Sequence, residues 1–384
     1  MLKSESIKYI GVNDHLSDYF EGQYNIPNGI SYNSYLILDE KIAVIDTVDE
    51  AFTSQWLSNL EGELNGKEPD YLVIHHMECD HSGSIQSFLD NYPNTTIVGN
   101  TQTFNFLNTL FSLKQETPKM IVKEKDIFDL GNHKLEFFMA PMVHWPEVMM
   151  SYESEEHILF SADAFGTFGA NDTPNNNWVD EARRYYFGIV GKFGIQVQSV
   201  FKKLENFPIE MICSLHGPVL SENISYYLEK YQTWSAYEAE EDGICIAYTS
   251  VYGHTKEVVL KLAKALEESN QKVVVYDLAR DDSSVALADA FRYNRLILAT
   301  TTYNGSIFPA MHHFLFDLIE HGYQNRIVGF IENGTWGPMA KKCMVEILSS
   351  CKNLTFLEHN LTIKGCFKET DQTLFEELIN EITK

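Results

Sequence analysis

A short run of metal-binding side chains follows one apolar segment of the chain. His76, Glu78, Asp80 and His81 lie within six residues, shortly after the apolar run that ends at Ile74. On a strand with a side-chain period of two, the first three would leave on one side, and His81 would join them as the chain turns. Ligands of this type and number can hold a pair of metal ions. A solvated polar loop is the alternative interpretation.

Three further candidate ligands lie at the ends of later predicted strands. They are His144, Asp163 and His216, and glycine or proline follows each within a few residues. Loops at strand ends are where functional side chains converge. The full set has four histidines and three carboxylates. Three negative charges would leave two divalent ions nearly neutral and would tolerate trivalent iron during turnover. The sequence therefore predicts a two-metal site.

Four neighbouring residues are expected to have other roles. His75 has the opposite strand parity, so we expect it to pack or to support a ligand. Asp46 is expected to brace the metal loop through hydrogen bonds. We expect Cys79 to be a small buried filler. Trp145 could either shield the site from water or pack in the core.

A second set of functional residues follows the apolar segment that ends at Tyr248. Residues 249–255 (TSVYGHT) have three hydroxyl side chains and a glycine before a predicted helix. Hydroxyls and backbone N–H groups at a helix start form a nest for phosphate. The loop has no lysine and no Gly-x-Gly-x-x-Gly, which excludes a Walker-type site and disfavours a dinucleotide. FMN fits best, and a plain hydroxyl-rich turn is the alternative.

Two later loops offer contacts for a flavin ring. Residues 300–305 (TTTYNG) and 332–337 (ENGTWG) follow the third and fourth predicted parallel strands. The carboxyl ends of such strands are the ligand edge of an open α/β sheet. Tyr303 and Trp336 offer aromatic faces for the isoalloxazine ring. His254 could contact the phosphate region, and a solvated loop histidine is an equally good interpretation. The residues expected to bind FMN are Thr249, Ser250, Tyr252, Gly253, His254, Thr255, Thr302, Tyr303, Asn304, Gly305, Asn333, Gly334 and Trp336.

The elements that must position these loops form two groups along the chain. The first half alternates strands and helices, with a hairpin predicted at residues 39–41 and one long helix from about Glu181 through Glu205. After an acidic run, continuous apolar strands alternate regularly with helices, which predicts a doubly wound parallel sheet. We therefore expect an α/β protein with domains at 1–240 and 243–384.

Composition and charge limit the class of protein. The chain has 384 residues, 44% of them hydrophobic, which suits two globular domains. Its formal net charge of −25 makes nucleic acid and anionic membranes poor partners. Six cysteines are present without a Cys-x-x-Cys pair. Because there is no leader pattern and no apolar run of about 20 residues, we expect a cytoplasmic protein.

The first set of residues resembles the metallo-β-lactamase superfamily, whose hydrolases carry His-x-His-x-Asp-His. Glu78 replaces the second of those histidines, and with the three later ligands this resembles the flavodiiron protein family. The loops at residues 249–255, 300–305 and 332–337 together resemble those of a flavodoxin. The resemblance covers the chain from about Tyr24 to its C-terminus. It implies an N-terminal metallo-β-lactamase-like αββα sandwich followed by a flavodoxin-like doubly wound parallel sheet.

The resemblance also implies an activity and the partners that it needs. It implies a di-iron flavoprotein oxidoreductase that reduces O2 to water, NO to N2O, or both. An external donor, with rubredoxin the first choice and a reduced deazaflavin the second, would pass electrons through FMN to the irons. A head-to-tail homodimer, or a dimer of such dimers, is expected. The implied iron ligands are His76, Glu78 and His144 for one ion, Asp80, His81 and His216 for the other, and Asp163 between them.

Alternatives remain open at this point. One is a binuclear metallohydrolase with a regulatory flavodoxin-like domain, and another is an electron carrier whose metal domain is only structural. The preference between O2 and NO is also open. Many family members carry Phe-His-Gly near the N-terminus, whereas this chain has Phe20, Glu21 and Gly22. In the family, that histidine approaches the open face of the di-iron centre. Glu21 takes its place in this chain, so a proton-donating role for the histidine does not carry over.

Overall fold

The computed structural model describes residues 4–112, 116–174 and 178–384. The chain divides into two compact units, Met1–Gln232 and Thr233–Lys384. Both units are mixed α/β, as the alternation of strand and helix patterns predicts. In the described part of the chain, no helix has the length and apolarity needed to cross a membrane.

The first unit contains two main sheets. The six-stranded sheet has the order β1-β6-β7-β8-β9-β10, and the five-stranded sheet has the order β11-β12-β13-β14-β15. Two small antiparallel pairs, β2-β5 and β3-β4, lie beside them. The strands are β1 (Ile7–Tyr9), β2 (Val12–Asp14), β3 (Tyr19–Phe20), β4 (Tyr24–Asn25), β5 (Ile30–Tyr32), β6 (Tyr35–Ile37), β7 (Ala43–Ile45), β8 (Tyr71–Val73), β9 (Thr96–Gly99), β10 (Lys119–Ile121), β11 (Ile127–Asp129), β12 (Lys134–Met139), β13 (Met149–Glu153), β14 (Ile158–Phe160) and β15 (Met211–Cys213).

Helices cover the outer faces of these sheets. They are α1 (Thr53–Leu64), α2 (Cys79–Ser82), α3 (Ile85–Asn91), α4 (Thr101–Leu110), α5 (Trp178–Tyr185), α6 (Gly194–Leu204) and α7 (Ile224–Ser235). The side-chain period of two sorts each strand between two cores. Val73 packs between the sheets, whereas its neighbour Leu72 packs with Trp56 of α1. The result is the predicted αββα sandwich.

The predicted hairpin at residues 39–41 is confirmed, because β6 and β7 pair antiparallel around it. The long helix predicted from Glu181 to Glu205 is wrong in its middle. After α5 the chain forms a π-helical turn at Tyr186–Val190 and a 3-10 turn at Gly191–Phe193 before α6 begins. A Cβ on Gly188 would lie 2.8 Å from the ring of Tyr24, so close packing there requires glycine, which is a weak helix former.

The second unit is a single parallel sheet with helices. Its main path is β17-β16-β18-β20-β21, with β22 also pairing with β20 and the short β19 pairing antiparallel with β18. This order of strands is the flavodoxin-like form of a doubly wound sheet, so the predicted topology is confirmed. The strands are β16 (Glu241–Tyr248), β17 (Val273–Asp277), β18 (Tyr293–Tyr303), β19 (Ser306–Ile307), β20 (Ile327–Asn333), β21 (Thr355–Phe356) and β22 (Leu361–Ile363).

The helices of this unit follow its strands in the expected alternation. They are α8 (His254–Glu268), α9 (Ser283–Arg292), α10 (Pro309–Glu320), α11 (Ala340–Leu348) and α12 (Gln372–Ile382). Sequence patterns did not predict β21, β22 or α12. The two strands have only two and three residues, too few to show a periodicity.

One buried side chain ties several backbone segments of this unit together. Arg326 is 2% exposed and donates hydrogen bonds to the carbonyl oxygens of Phe291, Tyr293 and Tyr237. These carbonyls belong to α9, to the start of β18 and to the segment that precedes β16. Hydrogen bonds from a charged donor are stronger than neutral ones, so this side chain fixes where the second unit begins.

We expect Arg326→Met to destabilise the second unit by about 3 kcal/mol, because three buried carbonyls lose their donor. The free energy of unfolding, measured by urea denaturation and followed by circular dichroism, tests this. Arg280→Met is the matched control, since Arg280 is exposed and its side chain pairs with Asp277 at the end of the edge strand β17. Equal stabilities for the two variants would contradict the assignment.

Candidate functional site

All seven candidate ligands come together in the first unit. They lie in two groups of buried or half-buried side chains whose ligand atoms are all within 4.8 Å of one another in each group. The segment after β8 belongs to one sheet, and the loops after β12, β14 and β15 belong to the other. The first group is His76, Glu78, His144 and Asp163, and the second is Asp80, His81 and His216.

The strand parity used to predict the first run is wrong. β8 already ends at Val73, and Asp80 and His81 lie in the short helix α2. The carbonyl oxygen of Glu78 accepts hydrogen bonds from the backbone N–H groups of His81 (3.0 Å) and Ser82 (2.9 Å). A tight helical turn, not the pleat of a strand, therefore brings these side chains to the site.

The first group surrounds a space bounded by two imidazoles and two carboxylates. Nε2 of His144 lies 3.0 Å from Oε2 of Glu78 and 3.0 Å from Oδ2 of Asp163. Nε2 of His76 lies 3.2 Å from the same Glu78 oxygen and 3.3 Å from the same Asp163 oxygen. Four potential ligand atoms thus converge within 4.8 Å of one another.

The second group uses the other oxygen of the same aspartate. Oδ1 of Asp163 lies 3.2 Å from Nε2 of His81 and 3.7 Å from Nε2 of His216. Oδ2 of Asp80 lies 3.2 Å and 3.3 Å from those two nitrogens. Asp163 therefore faces both groups, with one carboxylate oxygen directed to each.

The donor set fits metal ions better than internal hydrogen bonds. Both side-chain oxygens of Asp80 and Oδ1 of Asp163 are buried without a hydrogen-bond partner among the described residues. Nε2 of His81 faces Nε2 of His216 at 3.0 Å, although a neutral imidazole has only one N–H to donate. Buried carboxylates are costly unless they are paired or bind a cation. Two cations would satisfy all of these atoms.

Hydrogen bonds on the far side of the rings orient two of the histidines. Nδ1 of His76 lies 2.8 Å from Oε1 of Glu147, and Nδ1 of His216 lies 2.8 Å from the carbonyl oxygen of Ser31. A proton held at Nδ1 leaves the lone pair of Nε2 directed into the site. The sequence did not single out Glu147, and its position three residues after His144 is the only signal that could have suggested it.

The carboxylates make the site strongly attractive to positive charge. Burial by itself lowers the pKa of His81, but the carboxylates of Asp80 and Asp163 outweigh burial and raise that pKa to about 10. Burial also lowers the pKa of His144, which Asp163 and Glu78 raise to about 9. The negative potential of these carboxylates favours a bound cation, whether a proton or a metal ion.

The contacts of the neighbouring residues agree with most of their expected roles. Oδ1 of Asp46 accepts the backbone N–H of His75 at 2.7 Å and that of His76 at 3.3 Å. The ring of His75 is held between Asp46 and Ser151. The prediction that Cys79 is buried is wrong, because it is exposed at the start of α2.

Aromatic rings enclose the candidate metal site. The half-buried Trp145 has its ring centroid 5.3 Å from that of His76. Phe20 and Tyr185 lie 5.3 Å and 5.4 Å from the ring of His216. The sequence did not single out Tyr185, which is fully buried and whose hydroxyl has no hydrogen-bond partner among the described residues. No local pattern marks it.

Glu21 is near the site at the turn between β3 and β4. The surrounding protein and the negative charge of Glu78 raise the pKa of the Glu21 carboxyl, although the residue is exposed overall and His144 opposes the shift. Its backbone has a φ of 49°, in the left-handed region. The residue that replaces the family's histidine thus keeps an ionisable group close to the first ligand group.

The predicted flavin loops meet in the second unit. They line a cleft of about 560 Å³ at the carboxyl ends of β16, β18 and β20. All thirteen predicted residues except Thr249 and Gly253 line it. Thr249 is buried and hydrogen-bonds to Thr300, and Gly253 forms the turn before α8 with a φ of 96°. The lining residues that the sequence analysis missed are Val251, Thr301, Thr335, Gly337 and Gly365.

The cleft has the chemistry expected of an FMN site. Oγ of Ser250 accepts the backbone N–H groups of Gly253 (3.1 Å) and Lys256 (3.3 Å), which shapes the loop before the start of α8. No carboxylate is among the lining residues, which suits a site for an anionic phosphate. Tyr252 and Trp336 are 90% and 86% exposed beside the cleft. Such exposed aromatic faces suit stacking on a flavin ring.

Comparisons with known proteins agree with both units. A family model described as ODP family beta lactamase matches residues 30–217. A model described as flavodoxin domain matches residues 245–359. The two matches contain the candidate metal ligands and most of the candidate flavin loops, respectively.

Two curated relatives are similar over most of the chain. An anaerobic nitric oxide reductase flavorubredoxin of Vibrio vulnificus (strain YJ016) is 33% identical over 316 residues, which cover 79% of this chain and 64% of the relative. A protein of the same name from Escherichia coli O1:K1 / APEC is 30% identical over 381 residues, covering 96% of this chain and 78% of the relative. The chain thus spans less than two thirds of the Vibrio relative's length.

Solved structures show the same arrangement of elements. The rubredoxin oxygen:oxidoreductase of Desulfovibrio gigas matches with a TM-score of 0.92 and 23% identity, covering 100% of this chain and 97% of that one. A variant of the flavo di-iron protein of Thermotoga maritima matches with a TM-score of 0.89 and 25% identity, covering 98% and 95%. From its sequence matches and its fold, the chain belongs to the flavodiiron protein family.

Proposed function

We propose that this chain is a di-iron flavoprotein oxidoreductase that reduces O2 to water, NO to N2O, or both. The observation that carries the proposal is the buried Asp163, whose two oxygens each face one of two histidine and carboxylate groups. A flavin-type cleft in the same chain supplies the second half of the argument. The names of the Escherichia coli and Desulfovibrio gigas relatives support both gases as substrates.

The proposed ligands follow the two groups. One iron would be held by His76, Glu78 and His144, the other by Asp80, His81 and His216, with Asp163 between them. Iron bound there would supply the redox chemistry for reduction of the gas. The carboxylate-rich donor set supports iron, because hard oxygen ligands stabilise its higher oxidation state.

FMN would occupy the cleft of the second unit and would relay electrons. The Ser250 loop and the start of α8 would take its phosphate, and Tyr252, Tyr303 and Trp336 would contact its ring. Asn333 secures the third loop, since its side-chain amide donates to the carbonyl oxygen of Gly365 and accepts the Gly365 N–H. The remaining proposed contacts are Thr249, Gly253, His254, Thr255, Thr302, Asn304, Gly305 and Gly334.

Side chains that do not bind metal would control protons and water. The hydroxyl of Tyr185 has no hydrogen-bond partner among the described residues, and burial together with Asp163, Asp80 and Glu78 raises its pKa. It could donate a hydrogen bond to an oxygen atom of the substrate. Phe20 and Trp145 would exclude bulk water.

The assembly and partners are part of the same proposal. We propose domains at 1–240 and 243–384, a cytoplasmic location, and an external rubredoxin as the electron donor. A head-to-tail homodimer would place the FMN of one subunit beside the irons of its partner. The metallohydrolase alternative is not favoured, because the flavin-type cleft and relatives that extend over both domains are those of oxidoreductases.

Gas consumption tests the central claim directly. We expect the iron- and FMN-loaded protein, supplied anaerobically with reduced rubredoxin, to consume O2 without releasing peroxide, or NO with formation of N2O. An oxygen electrode, an NO electrode and headspace gas chromatography measure these. Zinc-loaded protein with bound FMN is the control and should consume neither gas. Inactivity with two irons and FMN bound would contradict the proposal.

Asp163→Asn should remove the charge that both groups share while keeping the shape of the side chain. We expect iron affinity to fall by at least about 100-fold, since losing even an outer partner of a ligand costs up to that much. Iron per chain, measured by mass spectrometry after dialysis, should drop below two while FMN stays bound. Asp172→Asn, at an exposed position, should keep its iron. Full iron content in both variants would argue against a shared ligand.

Ser250→Ala should weaken FMN binding about tenfold, equivalent to roughly 1.4 kcal/mol, because Ser250 no longer holds the loop before α8. Titration of the flavin-free protein, followed by quenching of FMN fluorescence, gives the Kd. Ser269→Ala is the matched control at the other end of α8, where Oγ donates to the carbonyl oxygen of Ala265. If both variants bind FMN as tightly as the unaltered protein, the loop does not hold the phosphate.

A further inference from the structure

An apolar cavity of about 330 Å³ lies between α6, α7 and two of the loops that carry candidate ligands. Its lining is apolar except for Glu205, Ser225 and the hydroxyl of Tyr231. Every lining residue lies between positions 143 and 231, within the first unit. A space of this volume is within the range of pockets that bind small molecules.

The cavity has one end at the surface and one in the interior. Glu205 and Ser225 are exposed, whereas Val143 and Ala164 are 1% and 2% exposed. The polar side chains are therefore at the entrance, and the interior is apolar. This gradient is that of a pocket open to solvent, with its inner end inside the protein.

The inner end of the cavity adjoins the candidate iron site. Val143 immediately precedes His144, and Ala164 immediately follows Asp163. Both of these ligand candidates belong to the first group, and Asp163 also faces the second. The cavity and the site therefore share two loops, because each loop carries a lining residue directly beside a candidate ligand in the chain.

An aromatic pair forms another part of the inner wall. The rings of Phe165 and Tyr231 are stacked with their centroids 4.2 Å apart. The hydroxyl of Tyr231 accepts the backbone N–H of Phe165 at 2.5 Å. With that hydroxyl engaged, the inner cavity presents a ligand mainly with carbon surface. Ions and strongly hydrated molecules would lose their hydration there without compensation.

We infer that this cavity admits and holds the neutral diatomic substrate, O2 or NO, on its way to the candidate iron site. The inference rests on the proposed function and names the route by which its substrate arrives. Dry apolar cavities of comparable lining hold xenon and other small apolar molecules. A larger apolar ligand would also fit by volume. A diatomic gas is the occupant whose proposed reaction takes place at ligands carried by the same two loops.

Xenon is the probe that tests occupancy without catalysis. Crystals of the iron- and FMN-loaded protein, pressurised with xenon, should show an anomalous peak between α6 and α7 against Val143 and Ala164. Density for a long apolar molecule in its place, or no xenon in the cavity, would overturn the inference. Xenon uptake by a protein that consumes neither gas would contradict the proposed function while supporting the gas site.

Substitutions that fill the cavity test the route. Val197→Phe on α6 and Leu228→Phe on α7 should each abolish the xenon peak. They should also slow NO binding to the reduced protein several-fold in stopped-flow absorbance, with iron and FMN content unchanged. Two positions are used because overpacking at the buried Val197 alone could impair folding, whereas Leu228 is half-buried.

Ile195→Phe is the matched control on the same helix. Ile195 is 77% exposed and does not line the cavity, so this variant should keep both the xenon peak and the rate of NO binding. Loss of xenon without any slowing of NO binding in the filled variants would overturn the route. Slowing in the Ile195 variant as well would do the same, because the effect would then not come from the cavity.

Discussion

A buried carboxylate must be compensated, and this requirement organises the first unit around Asp163. The side chain is 1% exposed and lies between four imidazoles drawn from three separate segments of the chain. One of its two oxygens faces each ligand group, so the two groups lie on opposite sides of a single carboxylate. On the far side of two of these rings, Glu147 fixes the proton on Nδ1 of His76, and the carbonyl oxygen of Ser31 fixes that on Nδ1 of His216. The inward nitrogen atoms are thereby left with their lone pairs free for cations.

The two sheets make this cluster possible because they bring loops from both sides to one edge. β8 supplies the segment with the first run of ligands, and β12, β14 and β15 supply the other three. Alternate residues of each strand pack between the sheets, so the relative position of the loops is set by a close-packed core. The second unit uses parallel strands in the same way, since their carboxyl ends place three loops around one cleft.

Two of the loops that carry candidate metal ligands also line the apolar cavity. Residues adjacent to His144 and Asp163 are apolar and face away from the cluster into the space between α6 and α7. The loops that place charge on one side therefore present carbon surface on the other. These two loops thus border both the charged cluster and the apolar cavity.

Residue type and spacing determined much of this protein. Histidine and carboxylate positions, the hydroxyl-rich loops and the strand rhythm were sufficient to predict the ligand candidates, the flavin loops and the doubly wound sheet, whereas the αββα sandwich was expected from the family resemblance. Tertiary structure decided the rest. Tyr24 packs against Gly188 across 164 positions and interrupts a predicted helix, and α2, not a pleat, turns Asp80 and His81 inward while leaving Cys79 exposed. Glu147 and Tyr185 take part through contacts with residues 71 and 31 positions away. Contacts at such separations form only when the sheets pack, and no local period encodes them.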